Sequence, residues 1–128
     1  MKTTKVLIID DEMEFANTLA ERLRKRGFVS KAANGADAAI AILDDGWIPE
    51  VVILDLQMPG YDGLATLDKL KARSPATEVI MLTGHPSTIS GVQGMHKGLF
   101  DYLMKPVSID ILIEKIEAAL QKRLSGGN

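Results

Sequence analysis

The chain has 128 residues, 46% of them apolar and 25% charged, with a formal net charge of −2. That length suits one domain able to bury roughly two-thirds of its unfolded surface, and the slight acidity argues against nucleic acid as a direct partner, because phosphate binding needs a basic face. Cysteine is absent, which removes disulfides, thiolate metal sites and cysteine nucleophiles. No apolar run approaches the ~18 residues of a membrane span and the Met1-Lys2-Thr3 start lacks a signal-peptide apolar region, so the expectation is a soluble cytoplasmic protein with no membrane partner.

In chain order the pattern alternates strand and helix with short connections, which predicts a parallel α/β sheet. Strands are expected at residues 4–9, 28–32, 50–54, 77–82 and about 100–104. Four are nearly continuous apolar runs, as when helices cover both faces of a sheet; Phe28-Val29-Ser30-Lys31-Ala32 is partly polar and reads as an edge strand. The first helix spans about 12–26 and places Phe15, Leu19 and Leu23 on one face; Asp11 and Glu14 match a capping box, and Gly27 follows a basic end. The second runs from near Asn34-Gly35 to Gly46, and Trp47 reads as half-buried packing beyond it. The third begins near Asp62, presents Leu64, Leu67 and Leu70, and stops before Ser74-Pro75. The fourth, about 86–97, carries Gly91 and Gly94 inside it, each costing about 0.8–1 kcal/mol relative to Ala, and is expected to be marginal. The last begins after the N-cap Ser108 and aligns Ile109, Leu112, Ile113, Ile116 and Leu120. Residues 1–124 form the expected domain, and 125–128 a flexible tail or linker stub.

Chemistry gathers where the strands end. Val6–Ile9 stops at Asp10-Asp11, Val51–Leu54 at Asp55, Val79–Leu82 at Thr83, and the fifth run at Lys105-Pro106. In a doubly wound sheet these positions share the carboxyl edge, where ligands sit. Two carboxylates about 4 Å apart repel by roughly 4 kcal/mol at an effective dielectric of about 20. Either one pKa rises or a cation joins the site, and an all-oxygen donor set suits Mg²⁺. An aspartate carboxylate is also a competent phosphoryl acceptor, a lysine holds phosphoryl charge, and the Thr83 hydroxyl offers a hydrogen bond.

The acidic pair Asp10-Asp11, the segment Leu54-Asp55-Leu56-Gln57-Met58-Pro59-Gly60-Tyr61-Asp62-Gly63, Thr83-Gly84, Asp101-Tyr102 and Lys105-Pro106 occur in this order and spacing. Across residues 4–122 the chain resembles the response-regulator receiver domain of two-component signalling. The resemblance implies a flavodoxin-like, five-stranded parallel sheet of order 2-1-3-4-5 with five helices. It implies that Asp55 takes a phosphoryl group from a sensor histidine kinase or phosphotransfer protein. Asp11, Asp55 and the Gln57 backbone carbonyl would hold Mg²⁺, with Asp10 acting through bound water. Lys105 would pair with Asp55 and then with the phosphoryl oxygens, through a cis Lys105–Pro106 bond. Thr83 and Tyr102 would form the switch, changing the face made by the fourth helix, fifth strand and fifth helix to control an output domain or protein.

Each residue has a plainer reading. Asp11 alone is a better helix cap than metal ligand, Lys105 alone a surface lysine, Tyr102 alone a core residue, and Met58-Pro59-Gly60 chiefly a turn. His85 and His96 read as surface residues, although His85, with Gln57, borders the site mouth and is a candidate for tuning water access. Two other classes compete: an aspartyl-phosphate phosphatase-type enzyme resembling haloacid-dehalogenase-like proteins, disfavoured because their Asp-x-Asp after strand 1 is replaced by the adjacent pair Asp10-Asp11 followed by Glu12, and a pseudo-receiver interaction module that is not phosphorylated. On the receiver reading the domain is a signalling switch and not an enzyme acting on other substrates. The sequence is compatible with a stand-alone receiver, with part of a longer regulator, and with phosphorylation-dependent homodimerisation.

Overall fold

The computed structural model describes residues 4–55, 63–83 and 98–126, with Thr83, Ser125 and Gly126 described by their backbone alone. Its elements are β1 Lys5–Ile9, α1 Met13–Arg24, β2 Val29–Ala33, α2 Ala36–Asp44, β3 Val51–Leu54, α3 Gly63–Arg73, β4 Glu78–Thr83, β5 Asp101–Met104 and α4 Ile109–Gly126. The strands form one parallel sheet in the order β2-β1-β3-β4-β5. Every predicted strand is present within a residue or two, and β2 occupies an edge as its polar pattern requires.

The side-chain period of two divides the apolar runs between the sheet's faces. Val6, Ile8, Val51, Ile53, Ile80 and Leu82 meet Ala16, Leu19, Ala20 and Leu23 of α1 and Leu112, Ile116 and Ala119 of α4. Leu7, Ile9, Val52, Leu54, Val79 and Met81 face Ala39 and Leu43 of α2 and Leu67 and Leu70 of α3. Each large aliphatic side chain buried this way stabilises the fold by about 1.5–3 kcal/mol. Trp47 packs part-buried against the second layer, with Lys31 Nζ 5.0 Å from its ring centroid.

Two helix ends and one strand depart from expectation. Neither Asp11 nor Glu14 closes a box at the start of α1: Glu12 is the N-cap without a side-chain cap bond, and Asp10 Oδ1 accepts the Glu12 N–H at 3.0 Å. β5 is not enclosed on both faces, because Tyr102 and Met104 are exposed. α4 continues to Gly126, past the predicted limit at 124. Other signals act as read. Ser108 Oγ accepts the Ile111 N–H at 3.1 Å. After α1 the Gly27 N–H donates to Arg24 O and the Phe28 N–H to Leu23 O, a Schellman pair that Gly27 permits at φ +93°. The predicted helix over 86–97, the Met58-Pro59-Gly60 turn, Gln57, His85 and His96 lie outside the described residues.

Candidate functional site

Strand register places the acids together. Ile9 and Leu54 are partners across β1 and β3, so Asp10 and Asp55, the next residues, leave the sheet side by side. Asp10 N–H donates to Ala33 O and Asp55 N–H to Ile9 O, each at 3.0 Å, which extends the ladder to the edge of the site. On the other flank Thr83 closes β4 opposite Met104, one residue before Lys105. Lys105 follows β5 through a cis bond to Pro106.

Asp10 and Asp55 are 2% and 6% exposed, while Asp11 is exposed at the rim. A carboxylate oxygen from each of the three lies within 4.8 Å of the others. Among the described residues this is the only grouping of at least three His, Cys, Asp or Glu side chains with metal-ligand spacing. Lys105 Nζ crosses the acids at 3.0 Å from Asp10 Oδ2 and 3.1 Å from Asp55 Oδ2, with Glu12 Oε1 at 3.8 Å. Asp11, Asp55, Asp10 and Lys105, predicted from separate strand ends, therefore meet in space. Thr83 is placed by its backbone alone, and Tyr102 stands 37% exposed on β5, its N–H donating to Asp101 Oδ1 at 2.8 Å.

The electrostatics follow from burial. Burial raises the Asp10 pKa above its usual value, and the Asp55 charge raises it further, against the Glu12 N–H and Lys105. Burial pulls Lys105 downward, yet its hydrogen bonds to Asp10 and Asp55 outweigh that and leave its pKa raised. Burial is thus the main cause of the raised Asp10 pKa, with the neighbouring Asp55 charge acting in the same direction. The donor set fits a hard divalent ion: three carboxylates, oxygen only, more negative charge than one lysine neutralises.

Two neighbours escaped the sequence reading. Glu12 extends the negative rim toward Lys105. Phe15, taken as part of the α1 core face, is 37% exposed and lies with its ring centroid 4.3 Å from Lys105 Nζ. The signal for Phe15 was its place in the first turn of α1, above the sheet edge instead of over its middle.

Fold and site together define a doubly wound α/β domain with an acidic pocket at its strand ends. The family model for the response regulator receiver domain matches residues 6–117, and the chain belongs to that family. Receiver domains of response regulators are signalling domains and typically bind Mg²⁺ at an acidic pocket. The chain is 40% identical over 119 residues to the sensory transduction protein RegX3 of Mycobacterium tuberculosis, covering 93% of this chain and 52% of that protein. It is 36% identical over 118 residues to the transcriptional regulatory protein CpxR of Klebsiella pneumoniae, covering 92% and 50%. The chain spans about half the length of these relatives. A CheY-like receiver domain protein of Methanospirillum hungatei superposes with a TM-score of 0.91 at 26% identity, covering 98% of this chain and 99% of that one. NtrX of Brucella abortus gives 0.89 at 32% identity, covering 98% and 29%. No helix among the described residues is long and apolar enough to cross a membrane.

Proposed function

We propose that the domain is a phosphorylation-dependent switch in which Asp55 is the phosphoacceptor. The observation that carries this is the Lys105 ammonium, 3.1 Å from Asp55 Oδ2 in a pocket shared with Asp10 and Asp11. In the reaction an Asp55 carboxylate oxygen forms a bond to phosphorus. The phosphorus–nitrogen bond to the imidazole of a sensor histidine kinase or phosphotransfer protein breaks, and the imidazole nitrogen keeps the electron pair.

Asp11 and Asp55 would hold Mg²⁺ with the Gln57 carbonyl. Both Asp10 oxygens already accept protein N–H bonds, from Glu12 and Lys105, which supports its contact with the ion through water. The bound ion supplies charge neutralisation at the phosphoryl oxygens. Lys105 exchanges its Asp55 contact for those oxygens, Thr83 hydrogen-bonds to the phosphoryl group, and Gln57 and His85 tune the access of water to it.

Output runs through the segment 86–97, β5 and α4. Tyr102, Met104 and Ile111 are exposed on β5 and α4, and a 2.7 Å ion pair between Lys115 and Asp101 ties the two elements together. Moving a two-state element from 1:99 to 99:1 needs about 5.5 kcal/mol, toward which charge-assisted bonds to a phosphoryl group contribute. Downstream, the partner is an output domain or protein, with phosphorylation-dependent homodimerisation as one form of response.

Mass spectrometry after treatment with acetyl phosphate and Mg²⁺ tests the assignment. The wild type should gain one phosphoryl group and Asp55→Asn none; equal labelling of both would remove Asp55 from the role. Amide exchange on the labelled protein should change around Tyr102 and the first turns of α4. Changes confined to α1 and α2 would refute the output surface.

A further inference from the structure

Lys105 is a flexible lysine asked to do a precise task. Its four-carbon stem carries a compact charge with three N–H donors and no intrinsic direction. Two directions are set by Asp10 Oδ2 at 3.0 Å and Asp55 Oδ2 at 3.1 Å. On another side stands the Phe15 ring, its centroid 4.3 Å from Nζ. Leu19 and Leu23 on the same helix face are 8% and 0% exposed, whereas Phe15, one turn earlier and above the sheet edge, is 37% exposed. Its ring packs on an ion, at the edge of an apolar groove of about 480 Å³ that also includes Leu19, Val107 and Leu112.

We infer that Phe15 is a positioning residue for Lys105: its π face holds the ammonium over the Asp10–Asp55 pair while leaving its N–H donors for the carboxylates and the incoming phosphoryl group. The inference rests on the phosphoacceptor reading above and adds a residue to it. An aromatic face attracts a cation without strong directionality. It therefore lets Nζ exchange the Asp55 carboxylate for phosphoryl oxygens without having to break a directed bond to residue 15 as well. A polar residue at position 15 would compete for the same protons, and an aliphatic one would leave that side of the charge to water. Glu12 Oε1, 3.8 Å from Nζ, sits on a 71% exposed side chain and is a weaker guide.

The test compares the full chain with Phe15→Leu, which keeps an apolar side chain without a π face, and Phe15→Tyr, which restores the face. Two readouts are taken. The first is the shift of the Lys105 ε-methylene protons in lysine-labelled protein, which the ring current moves upfield. The second is the rate of Asp55 phosphorylation by acetyl phosphate and Mg²⁺. In that step an Asp55 oxygen bonds to phosphorus and acetate leaves with the electron pair of the broken phosphorus–oxygen bond. Wild type and Phe15→Tyr should show the upfield shift and equal rates. Phe15→Leu should lose the shift and react roughly three- to tenfold more slowly, with unchanged thermal stability. Wild-type rate in Phe15→Leu, or a slow Phe15→Tyr, overturns the inference while leaving the phosphoacceptor reading intact. No phosphorylation of the wild type overturns both.

Discussion

Asp10 Oδ1 accepts the backbone N–H of Glu12 at 3.0 Å while Oδ2 accepts Lys105 Nζ at the same distance. One carboxylate thus closes the entry to α1 and anchors the charge of the site. The arrangement carries a cost, because Asp10 is 2% exposed, its pKa is raised by burial, and Asp55 repels it. The folded state therefore binds a proton at Asp10 more readily than the unfolded chain. Stability from this group is present below its ordinary pKa of 3.8 and is lost as pH rises through the raised folded value. At neutral pH Asp10→Asn should raise the Tm, since the buried charge is removed and Lys105 retains Asp55. Thermal melts from pH 4 to pH 8 should show the difference shrinking on the acid side, as the wild-type carboxyl becomes neutral. A variant less stable than wild type at pH 7 would show that the Lys105 bond outweighs burial.

The same excess of negative charge makes the folded state the tighter binder of a divalent cation. A ligand that binds only the folded state at 100 times its Kd stabilises it by about 2.7 kcal/mol. Titrating Mg²⁺ should raise the Tm of the wild type along that curve. In Asp11→Ala the rise should largely vanish, while the melt without Mg²⁺ changes little, because Asp11 is exposed and its removal relieves repulsion. The same Mg²⁺ response in both proteins would take Asp11 out of the ion site.

Most of this architecture is legible in the residues, and what is not has identifiable causes. Apolar runs ending in Asp10, Asp55, Thr83 and Lys105 locate the site because parallel strands all present one end to the same edge. Capping chemistry is less readable: Asp11 and Glu14 fit a box by spacing, but Asp10 reaches the helix entry first from the end of β1. Phe15 escapes because periodicity assigns a face and not a height along the helix; at the first turn that face overhangs the sheet edge. β5 reads as buried from its apolar letters, whereas its position at the sheet edge leaves Tyr102 and Met104 exposed.

The turn after α1 depends on backbone conformation alone. Gly27 sits at φ +93°, and nothing lies within 4 Å of where a Cβ would stand. A side chain there meets no neighbour, so the penalty of Gly27→Ala is conformational, about 1–2 kcal/mol. Chemical denaturation should show a lower midpoint with an unchanged slope and unchanged Mg²⁺ response. A loss of several kcal/mol would imply that the substitution also breaks the Phe28–Leu23 and Gly27–Arg24 bonds.

At the opposite end of the sheet from the acids, a buried hydroxyl relay joins two loops. Thr77 Oγ1 donates to Pro49 O at 2.7 Å and, 2.6 Å from Ser74 Oγ, shares a second hydrogen bond. Ser74 and Thr77 are 8% and 1% exposed, so water cannot readily replace a lost partner. Thr77→Val keeps the shape and deprives the Pro49 carbonyl of its donor, which should cost about 1–3 kcal/mol. Thr77→Ser retains the hydroxyl and should recover the part of that loss due to hydrogen bonding. Because this relay lies where β3 and β4 begin and the acids lie where the strands end, both variants should keep wild-type phosphoryl uptake at temperatures where they remain folded. A drop in uptake without a drop in stability would reveal a coupling along β4 from Thr77 to Thr83.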